Sequence, residues 1–563
     1  MRKKKMTKEE IEKKKKVIIK TFLSIIAVII ILIVAYVAND FIILDKNKKI
    51  NLVINNNNVT SNLKKDVLVD NNVVYLSKQD IANFFDKYIY KDEKNNKIIT
   101  TYDKKIASIG FEENEINING ANKKIYASAI EKDNTIYLPI SEMLDVYGIE
   151  IKNIEDSKVI TIDSTNREQK KAIVTSQVAV KSSTNFISKT VDRVKKGDYV
   201  IVVSNDGKWA KVRTDKGKVG YIKSKKIANE VIVRENMEEE KQIQGKVNLV
   251  WDYYSEYASA PDRNGTKIEG VNVVSPSFFY LDKNGNVQQN VGDKGEEYIK
   301  WAHNNGYKVW PMISNSGDGM LSVTSNIMND YDKRQKLIED IVNLCVKYKI
   351  DGINIDFENM KKEDIDLYSR FIIELTPRIK EIGLVISVDV TAPDGGDTWS
   401  LCFDRNVIGH VADYIIFMAY DQYGVSSTKP GTTAGYDWIE LSLKKFLETE
   451  EIKSDKIILA VPFYTRLWTE DSNGKVKSDV VNMKNINKVL PESVEKTWDD
   501  NLKQYYVEYE EKNTTKKMWV EDLESIKAKI ELITKYNLAG SAAWEKDRED
   551  PEVWSVINQE LNK

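Results

Sequence analysis

The hydrophobic positions of the chain follow three patterns that change at a few points along it. One uninterrupted apolar run covers residues 21–38, short alternating runs fill residues 50–230, and from residue 245 onward apolar runs alternate with amphipathic stretches. Strict alternation predicts half-buried strands, whereas strands interleaved with 3.6-periodic stretches predict βα units. The pattern therefore predicts a membrane-type helix, small strand-rich modules and a large α/β domain.

The apolar run of residues 21–38 contains no charged side chain. As a helix it is about 27 Å long, close to the roughly 30 Å hydrocarbon core of a bilayer. A cleaved signal peptide is the alternative, but its apolar run is shorter, and Tyr36 stands where cleavage after Ala38 needs a small residue. We therefore predict an uncleaved transmembrane anchor over residues 21–38.

The distribution of charged residues predicts how this anchor is oriented in the membrane. The whole chain has a formal net charge of −2, but residues 1–20 carry ten basic side chains against three acidic ones. The positive-inside rule then predicts a cytoplasmic tail over residues 1–20 and an extracellular, wall-side position for everything after the anchor. Because topology explains the basic block, we predict no nucleic-acid partner.

An internal repeat follows the anchor. Residues 74–82 match residues 136–144 at a spacing of 62, and each copy predicts a strand, a capped helix and a further strand. These elements predict a small α/β module over residues 50–165. The segment resembles the copper amine oxidase N-terminal domain, but it contains no His to bind copper. We expect a structural spacer or binding module.

Residues 170–230 change to short strands at close spacing, which predicts a small β-barrel. Asp206-Gly207 marks a hairpin turn between two alternating strands. The pattern Trp209-x-Lys211-Val212, followed by Gly-Tyr-Ile at 220–222, resembles a bacterial SH3 domain. The resemblance implies a cell-wall peptide as a candidate partner. The charged residues 229–244 are predicted to be a linker.

The last 319 residues, 245–563, alternate strand and helix patterns through eight units, which predicts a (β/α)8 TIM barrel. A doubly wound sheet is the alternative, but no Gly-rich phosphate loop follows any predicted strand. The predicted helices cover residues 295–305, 333–347, 362–382, 438–448 and 520–536. The predicted strands cover residues 247–251, 271–280, 309–313, 353–357, 385–390, 414–420, 457–464 and 539–544.

The fourth predicted strand carries the candidate chemistry. Side chains alternate along a strand, so Asn354, Asp356 and Glu358 face the barrel interior while the apolar residues between them face the helices. Two carboxyl groups in a low-dielectric pocket do not ionise together readily, so one pKa should rise and keep a proton available near neutral pH. The alternative is a hydrogen-bonded network with a purely structural role.

This row of residues resembles the D-G-x-D-x-D-x-E signature of glycoside hydrolase family 18, which includes chitinases and the spore and cell-wall N-acetylglucosaminidases. Residues 418–421 (M-A-Y-D), 461–468 and 542–545 resemble later motifs of the family in the correct order. One difference is Asn354, which stands where many chitinases have the first inward Asp. An asparagine there can still hydrogen-bond Asp356, and we interpret it as a feature of the wall and spore branch.

The resemblance implies a substrate-assisted, retaining hydrolysis without metal or cofactor. Glu358 is then the general acid and later the base, Asp356 orients the sugar's 2-acetamido group, and Tyr420 donates a hydrogen bond to that group. The substrate-binding residues implied by the family motifs are Asn354, Met418, Asp421, Tyr464, Arg466 and Trp544. As alternatives, Trp544 and Tyr464 are core aromatics and Arg466 belongs to a surface ion pair.

The small numbers of Cys and His exclude or disfavour several classes of site. Two Cys, at 345 and 402, exclude a disulfide-stapled scaffold, and two distant His disfavour a His-based metal site or a Ser-His-Asp triad. We predict a membrane-anchored extracellular glycosidase that cleaves β-1,4 bonds at N-acetylglucosamine in peptidoglycan. The alternatives are a chitinase-type hydrolase and a non-catalytic glycan-binding protein. Residues 468–519 are predicted to form a β-rich insertion, and the family resemblance implies that it is one wall of the cleft.

Overall fold

The fold comes from a computed structural model, which describes residues 7–41, 49–185, 188–237, 242–253, 263, 267–358 and 360–563. The first six residues of the predicted cytoplasmic tail, residues 42–48 and residues 238–241 of the predicted linker lie outside the described residues. Helix α1 spans Lys8–Phe41. Over Lys8–Val34 it is long and apolar enough to cross a membrane, and no part of its most apolar stretch is buried by the rest of the protein.

The first module is built around the internal repeat. Strands β4 and β11, one from each copy, pair antiparallel so that Leu76 lies opposite its repeat mate Leu138. Ser77 caps α2, because its side chain accepts a hydrogen bond from the Asp80 backbone N–H at 3.0 Å. A separate apolar core that includes Leu76, Leu138 and Tyr147 holds the module together.

The elements of the first module are mainly short strands. Its helices are α2 (Lys78–Phe84) and α3 (Leu144–Tyr147). Its strands are β1 (Asn51–Ile54), β2 (Asn57–Asn58), β3 (Leu68–Asp70), β4 (Val73–Ser77), β5 (Tyr90–Asp92), β6 (Lys97–Tyr102), β7 (Lys105–Gly110), β8 (Glu115–Ile118), β9 (Ala121–Lys124), β10 (Ile130–Lys132), β11 (Thr135–Pro139), β12 (Ile149–Ile154) and β13 (Val159–Ser164).

The second module is a seven-stranded antiparallel sheet that encloses its own small valine-rich core. A buried ion pair joins it to the first module, because the Arg213 guanidinium donates to both carboxylate oxygens of Asp163, at 2.8 and 2.5 Å. Its strands are β14 (Gln169–Val174), β15 (Val178–Lys181), β16 (Thr190–Val194), β17 (Tyr199–Asn205), β18 (Trp209–Arg213), β19 (Val219–Lys223) and β20 (Ile227–Arg234).

The large domain is a closed barrel of eight parallel strand positions, which confirms the predicted (β/α)8 fold. The second and third positions are each split in two, and Pro276 and Pro311, which have no N–H to donate to a ladder, lie at the breaks. Barrel strands are β21 (Val247–Asp252), β22 (Val273–Pro276) with β23 (Phe279–Leu281), β25 (Lys308–Val309) with β26 (Met312–Ser314), β27 (Gly352–Asp356), β28 (Val385–Val390), β29 (Tyr414–Met418), β30 (Ile457–Pro462) and β36 (Gly540–Trp544).

Helices and an insertion surround the barrel. The hairpin strand β24 (Val287–Gln289) pairs with β23. The helices are α4 (Gly292–Asn304), α5 (Met320–Met328), α6 (Tyr331–Tyr348), α7 (Ile365–Glu381), α8 (Arg405–Val411), α9 (Tyr436–Lys444), α10 (Ile486–Val489), α11 (Leu523–Tyr536) and α12 (Val553–Leu561). The insertion sheet contains β31 (Tyr464–Glu470), β32 (Val476–Asn482), β33 (Thr497–Asp499), β34 (Gln504–Glu511) and β35 (Thr514–Trp519).

The seventh barrel strand differs from its predicted extent. We predicted strand character through Tyr464, with an insertion from residue 468, but β30 ends at Pro462 and β31 already belongs to the insertion sheet. Phe463 separates the two strands, and its N–H donates to the Trp544 carbonyl at 2.7 Å. Residues 464–467 therefore lie in the insertion sheet, so Tyr464 and Arg466 are presented by the insertion rather than by the barrel.

A buried charge network fixes the first module against the side of the barrel. Arg334 on α6 and Glu374 on α7 are 3% and 0% exposed, and the Arg334 Nε donates to Glu374 Oε2 at 3.1 Å. Tyr90 on β5 completes the network by donating its hydroxyl to Glu374 Oε1 at 2.9 Å. The Arg370 guanidinium lies 4.1 Å from the Tyr90 ring centroid. The module is therefore docked on α6 and α7 by specific polar contacts.

Candidate functional site

The candidate site lies where β27 ends inside the barrel. Asn354 and Asp356 are 0% and 7% exposed, and Glu358 is half-buried two residues further on. Alternation along β27 places all three on the inner face, while Ile353 and Ile355 pack into the hydrophobic core. The structure thus brings together the three residues that the sequence predicted as one row.

Asn354 is held in one orientation by its neighbours. The Trp251 Nε1–H donates to Asn354 Oδ1 at 2.9 Å, so the Asn354 amide group must donate on its other side. It donates to Asp389 Oδ1 at 2.7 Å and to Ser387 Oγ at 3.1 Å. The expectation that Asn354 hydrogen-bonds Asp356 is wrong, because a carboxylate on the neighbouring strand β28 takes that donor.

Asp356 and Glu358 form a coupled carboxyl pair. Burial raises the pKa of Asp356 to about 6, and its hydrogen bond with Glu358 works against that rise. Burial also raises the pKa of Glu358 well above its usual range, and the negative charges of Asp356 and Asp389 raise it further. When the pair holds one proton, these shifts favour Glu358 as its site and Asp356 as the carboxylate that accepts the hydrogen bond.

Asp389 is a buried carboxyl group that our sequence analysis missed. Its side chain is 1% exposed on β28, and its carboxylate accepts from Asn354. A signal was present, because Ser387 and Asp389 are the two polar residues that alternate with Ile and Val in the run 385–390. Alternation would have placed both of them inside the barrel beside the β27 row.

Tyr420 and Asp421 follow β29 at the barrel mouth, and Met418 is the last residue of that strand. Met418 and Tyr420 are buried, at 4% and 7% exposure. Burial raises the pKa of Tyr420 well above its usual range, so its hydroxyl remains a hydrogen-bond donor. Asp421 adopts a left-handed backbone conformation with φ 56°. The Tyr464 hydroxyl donates to Asp421 Oδ1 at 2.7 Å, which joins the insertion to the mouth.

Arg466 is buried, at 7% exposure, so the alternative of a surface ion pair is wrong. Its Nη1 donates to Ser478 Oγ at 3.1 Å, and its Nη2 lies 4.0 Å from Asp421 Oδ1. Within the described part of the chain, its buried Nε has no hydrogen-bond partner. The guanidinium therefore retains donor capacity next to the cleft, which suits a polar ligand.

Trp544 ends β36 as a partly exposed side chain at the base of the site. Its ring makes an edge contact with Trp251 at 5.8 Å and a tilted contact with Tyr253 at 5.6 Å. Trp251 in turn orients Asn354. The Trp544 ring thus packs against two aromatic rings and remains partly exposed, which suits a platform for a sugar ring.

A pair of carboxyl groups at the end of the fourth strand of a closed barrel is the kind of site that glycosidases use. The chain belongs to glycosyl hydrolases family 18, whose family model matches residues 249–549. The models of the copper amine oxidase N-terminal domain and of the bacterial SH3 domain match residues 53–162 and 176–228, which confirms both predicted resemblances.

Several relatives have names related to glycan cleavage. An uncharacterized glycosylase of Bacillus subtilis, YvbX, is 26% identical over 51% of this chain and 84% of its own length. The putative sporulation-specific glycosylase YdhD of that organism is 25% identical, over 47% of this chain and 64% of its own. Its cortical fragment-lytic enzyme is also 25% identical, over 42% of this chain and 56% of its own.

Among solved structures, a chitinase from Chromobacterium violaceum ATCC 12472 superposes with a TM-score of 0.50. The two sequences are 21% identical, and the match covers 57% of this chain and 100% of the chitinase chain. At this identity the likeness concerns the fold, which is the barrel.

Proposed function

We propose that this protein is a membrane-anchored extracellular glycosidase that hydrolyses β-1,4 bonds at N-acetylglucosamine in peptidoglycan. The observation that carries the proposal is the pair of Asp356 and Glu358 at the end of β27, in which burial raises both pKa values and neighbouring negative charges raise that of Glu358 further. A protonated carboxyl beside a carboxylate provides both a general acid and a group that stabilises positive charge.

The proposed mechanism is substrate-assisted and retaining. The carbonyl oxygen of the sugar's 2-acetamido group attacks C1 while Glu358 gives its proton to the leaving glycosidic oxygen. Asp356 accepts a hydrogen bond from the acetamido N–H, whose positive charge grows in the oxazolinium ion, and Tyr420 donates to the acetamido oxygen. Water then attacks C1, the bond between C1 and the acetamido oxygen breaks, and the water loses its proton to the Glu358 carboxylate.

The remaining predicted residues hold the sugar in this proposal. Trp544 supplies a stacking face, Asn354 and Met418 line the inner wall, and Asp421, Tyr464 and Arg466 form a polar rim. Two features support such a rim, because sugar hydroxyl groups both donate and accept: the hydrogen bond from Tyr464 to Asp421, and an Arg466 Nε that has no partner among the described residues.

Peptidoglycan is the favoured substrate because of the chain's organisation and its relatives. Helix α1 can hold the enzyme at the membrane, and an SH3-like module, which we propose binds a cell-wall peptide, follows it. The names of two relatives concern sporulation and cortex fragments. A chitinase-type activity is the second candidate, because a probable endochitinase of a polyhedrosis virus is 24% identical over 298 residues.

Product analysis tests the proposal directly. The full chain in detergent is incubated with purified peptidoglycan and, separately, with chitooligosaccharides, and the products are identified by mass spectrometry. Fragments with a new N-acetylglucosamine reducing end from peptidoglycan support it. Faster turnover of chitooligosaccharides favours the chitinase alternative, and binding without turnover favours a glycan-binding protein.

The pH profile of kcat/KM is expected to be bell-shaped. Activity needs ionised Asp356, so it should fall as the pH drops below about 6, where this carboxyl gains a proton. Activity also needs protonated Glu358, so it should fall at alkaline pH, and the raised pKa of Glu358 moves that limb upward. Initial rates on a soluble glycan across the pH range provide the measurement. A profile that stays flat through pH 6 would argue against this assignment of Asp356.

Membrane anchoring through residues 21–38 is tested by deletion of residues 1–41. The full chain should sediment with membranes and resist extraction by salt, whereas the deleted form should be soluble and retain its turnover of peptidoglycan fragments. Fractionation with immunoblotting provides the measurement. N-terminal sequencing of the mature protein distinguishes the two predicted outcomes, because a chain that begins after Ala38 would mean a cleaved signal peptide.

A further inference from the structure

A third carboxyl group lies beside the catalytic pair. In the pairing of β27 with β28, Asn354 lies opposite Ser387 and Ile355 opposite Val388. Two residues further along each strand, this register places Asp356 opposite Asp389. The backbones of neighbouring strands are about 4.8 Å apart. Both side chains face the barrel interior and are nearly inaccessible to solvent.

A hydrogen bond links Asn354 on β27 to Asp389 on β28. Because Trp251 has only a donor to offer, it fixes Asn354 Oδ1, and the amide group is left to donate to Asp389 Oδ1 at 2.7 Å. The β27 row therefore has an amide at Asn354, and a carboxyl on β28 is in direct contact with that amide.

One carboxylate oxygen of Asp356 remains without a hydrogen bond to any described residue. This atom, Oδ1, is buried. Burial and the charge of Asp356 raise the pKa of Asp389, and Asp389 is one of the charges that raise the pKa of Glu358. The other titratable groups that interact electrostatically with these carboxyls come from α7, the segment before α8 and the segment that follows β29; they are Tyr368, Cys402, Tyr420 and Asp421.

We propose that Asp389 is a positioning residue of the site, a carboxyl on β28 that holds the Asn354 amide and keeps the catalytic proton on Glu358. It acts through its contact with Asn354 and through its negative charge beside Asp356, without touching the substrate. The inference rests on the proposed function, since it concerns the acid of that reaction.

The variant Asp389→Asn separates this role from a structural one. The new amide oxygen can still accept from Asn354, so the hydrogen bond and the fold are retained while the carboxyl is lost. We expect the alkaline limb of kcat/KM to move to lower pH by about one unit, because a neighbouring like charge no longer favours protonated Glu358. KM should stay near the wild-type value. An unchanged pH profile would overturn the proposal.

A carboxyl exchange tests the same idea by rescue. The double variant Asn354→Asp with Asp389→Asn places the carboxyl on β27 and the amide on β28. The alkaline limb of kcat/KM should then be restored to its wild-type position. A double variant that stays at the position of the single variant would overturn the proposal. Asp397→Asn is the matched control, because Asp397 lies in the exposed segment after β28 and its removal should leave the profile unchanged.

A readout without turnover keeps this inference separate from the proposed function. Infrared difference spectra of the full chain in detergent follow the carbonyl band of protonated carboxyl groups, and the band missing in Glu358→Gln belongs to Glu358. In Asp389→Asn that band should disappear at lower pH than in the wild type. An unshifted band would overturn the inference. A band that shifts as expected in Asp389→Asn, together with a wild type that cleaves no glycan, would overturn only the proposed function.

Discussion

Replacing Glu358 with glutamine is expected to reduce the release of reducing ends from peptidoglycan by roughly 10²- to 10⁴-fold, the usual contribution of a general acid. Glutamine keeps the size of the side chain but has no proton to give to the leaving oxygen. The effect should appear in kcat, with KM nearly unchanged, because the variant still binds the sugar. Initial rates with the detergent-solubilised chain provide the measurement.

The matched control for this variant is Glu363→Gln, which changes an exposed glutamate five residues further along the chain. It should retain wild-type rates. If Glu358→Gln and the wild type release reducing ends equally, the assignment of Glu358 as the catalytic acid is wrong. Asp356→Asn provides a second check, since the loss of its charge should also lower kcat and abolish the acid limb of the pH profile near pH 6.

Replacing Glu374 with alanine is expected to lower the free energy of unfolding by roughly 3–5 kcal/mol, the usual cost of breaking a buried ion pair on one side. The change leaves the Arg334 guanidinium buried without its carboxylate and removes the acceptor of the Tyr90 hydroxyl. Urea unfolding followed by tryptophan fluorescence measures the loss. Limited proteolysis should also cleave between the first module and the barrel more readily, because Tyr90 holds the two together.

A surface pair at the same interface provides the control. Lys105 and Glu381 lie 3.4 Å apart, with side chains about one third exposed. Glu381→Ala should therefore cost less than about 1 kcal/mol. The double variant Arg334→Met with Glu374→Leu should recover most of the lost stability, because it removes both buried charges. If Glu374→Ala is no more destabilising than Glu381→Ala, the network does not hold the interface.

The barrel and its reactive row could be predicted because both depend on local patterns. Alternation along residues 353–358 put Asn354, Asp356 and Glu358 on one face, and eight apolar runs indicated the strand count. Local patterns also limited the prediction of the helices. Helices α5, α8 and α12 were missed, since two or three turns contain too few apolar repeats to stand out between strands.

The contacts of the site depend on pairing between strands, which periodicity does not encode. The register of β27 against β28 places Asp389 beside Asn354, and only that register shows why Asn354 does not bind Asp356. The end of β30 at Pro462 was likewise hidden, because the apolar run continues into β31 without a turn signal. The burial of Arg466 follows from the fold of the insertion.

The short connection between α1 and the first module limits how far the enzyme can reach. Helix α1 ends at Phe41 and β1 begins at Asn51, so ten residue steps separate them, at most about 36 Å of fully stretched chain. Under the proposed anchoring, the enzyme diffuses in two dimensions and samples only a thin layer above the lipid surface. Its rate then depends on how much glycan passes through that layer, so wall remote from the membrane escapes cleavage whatever the total amount of enzyme.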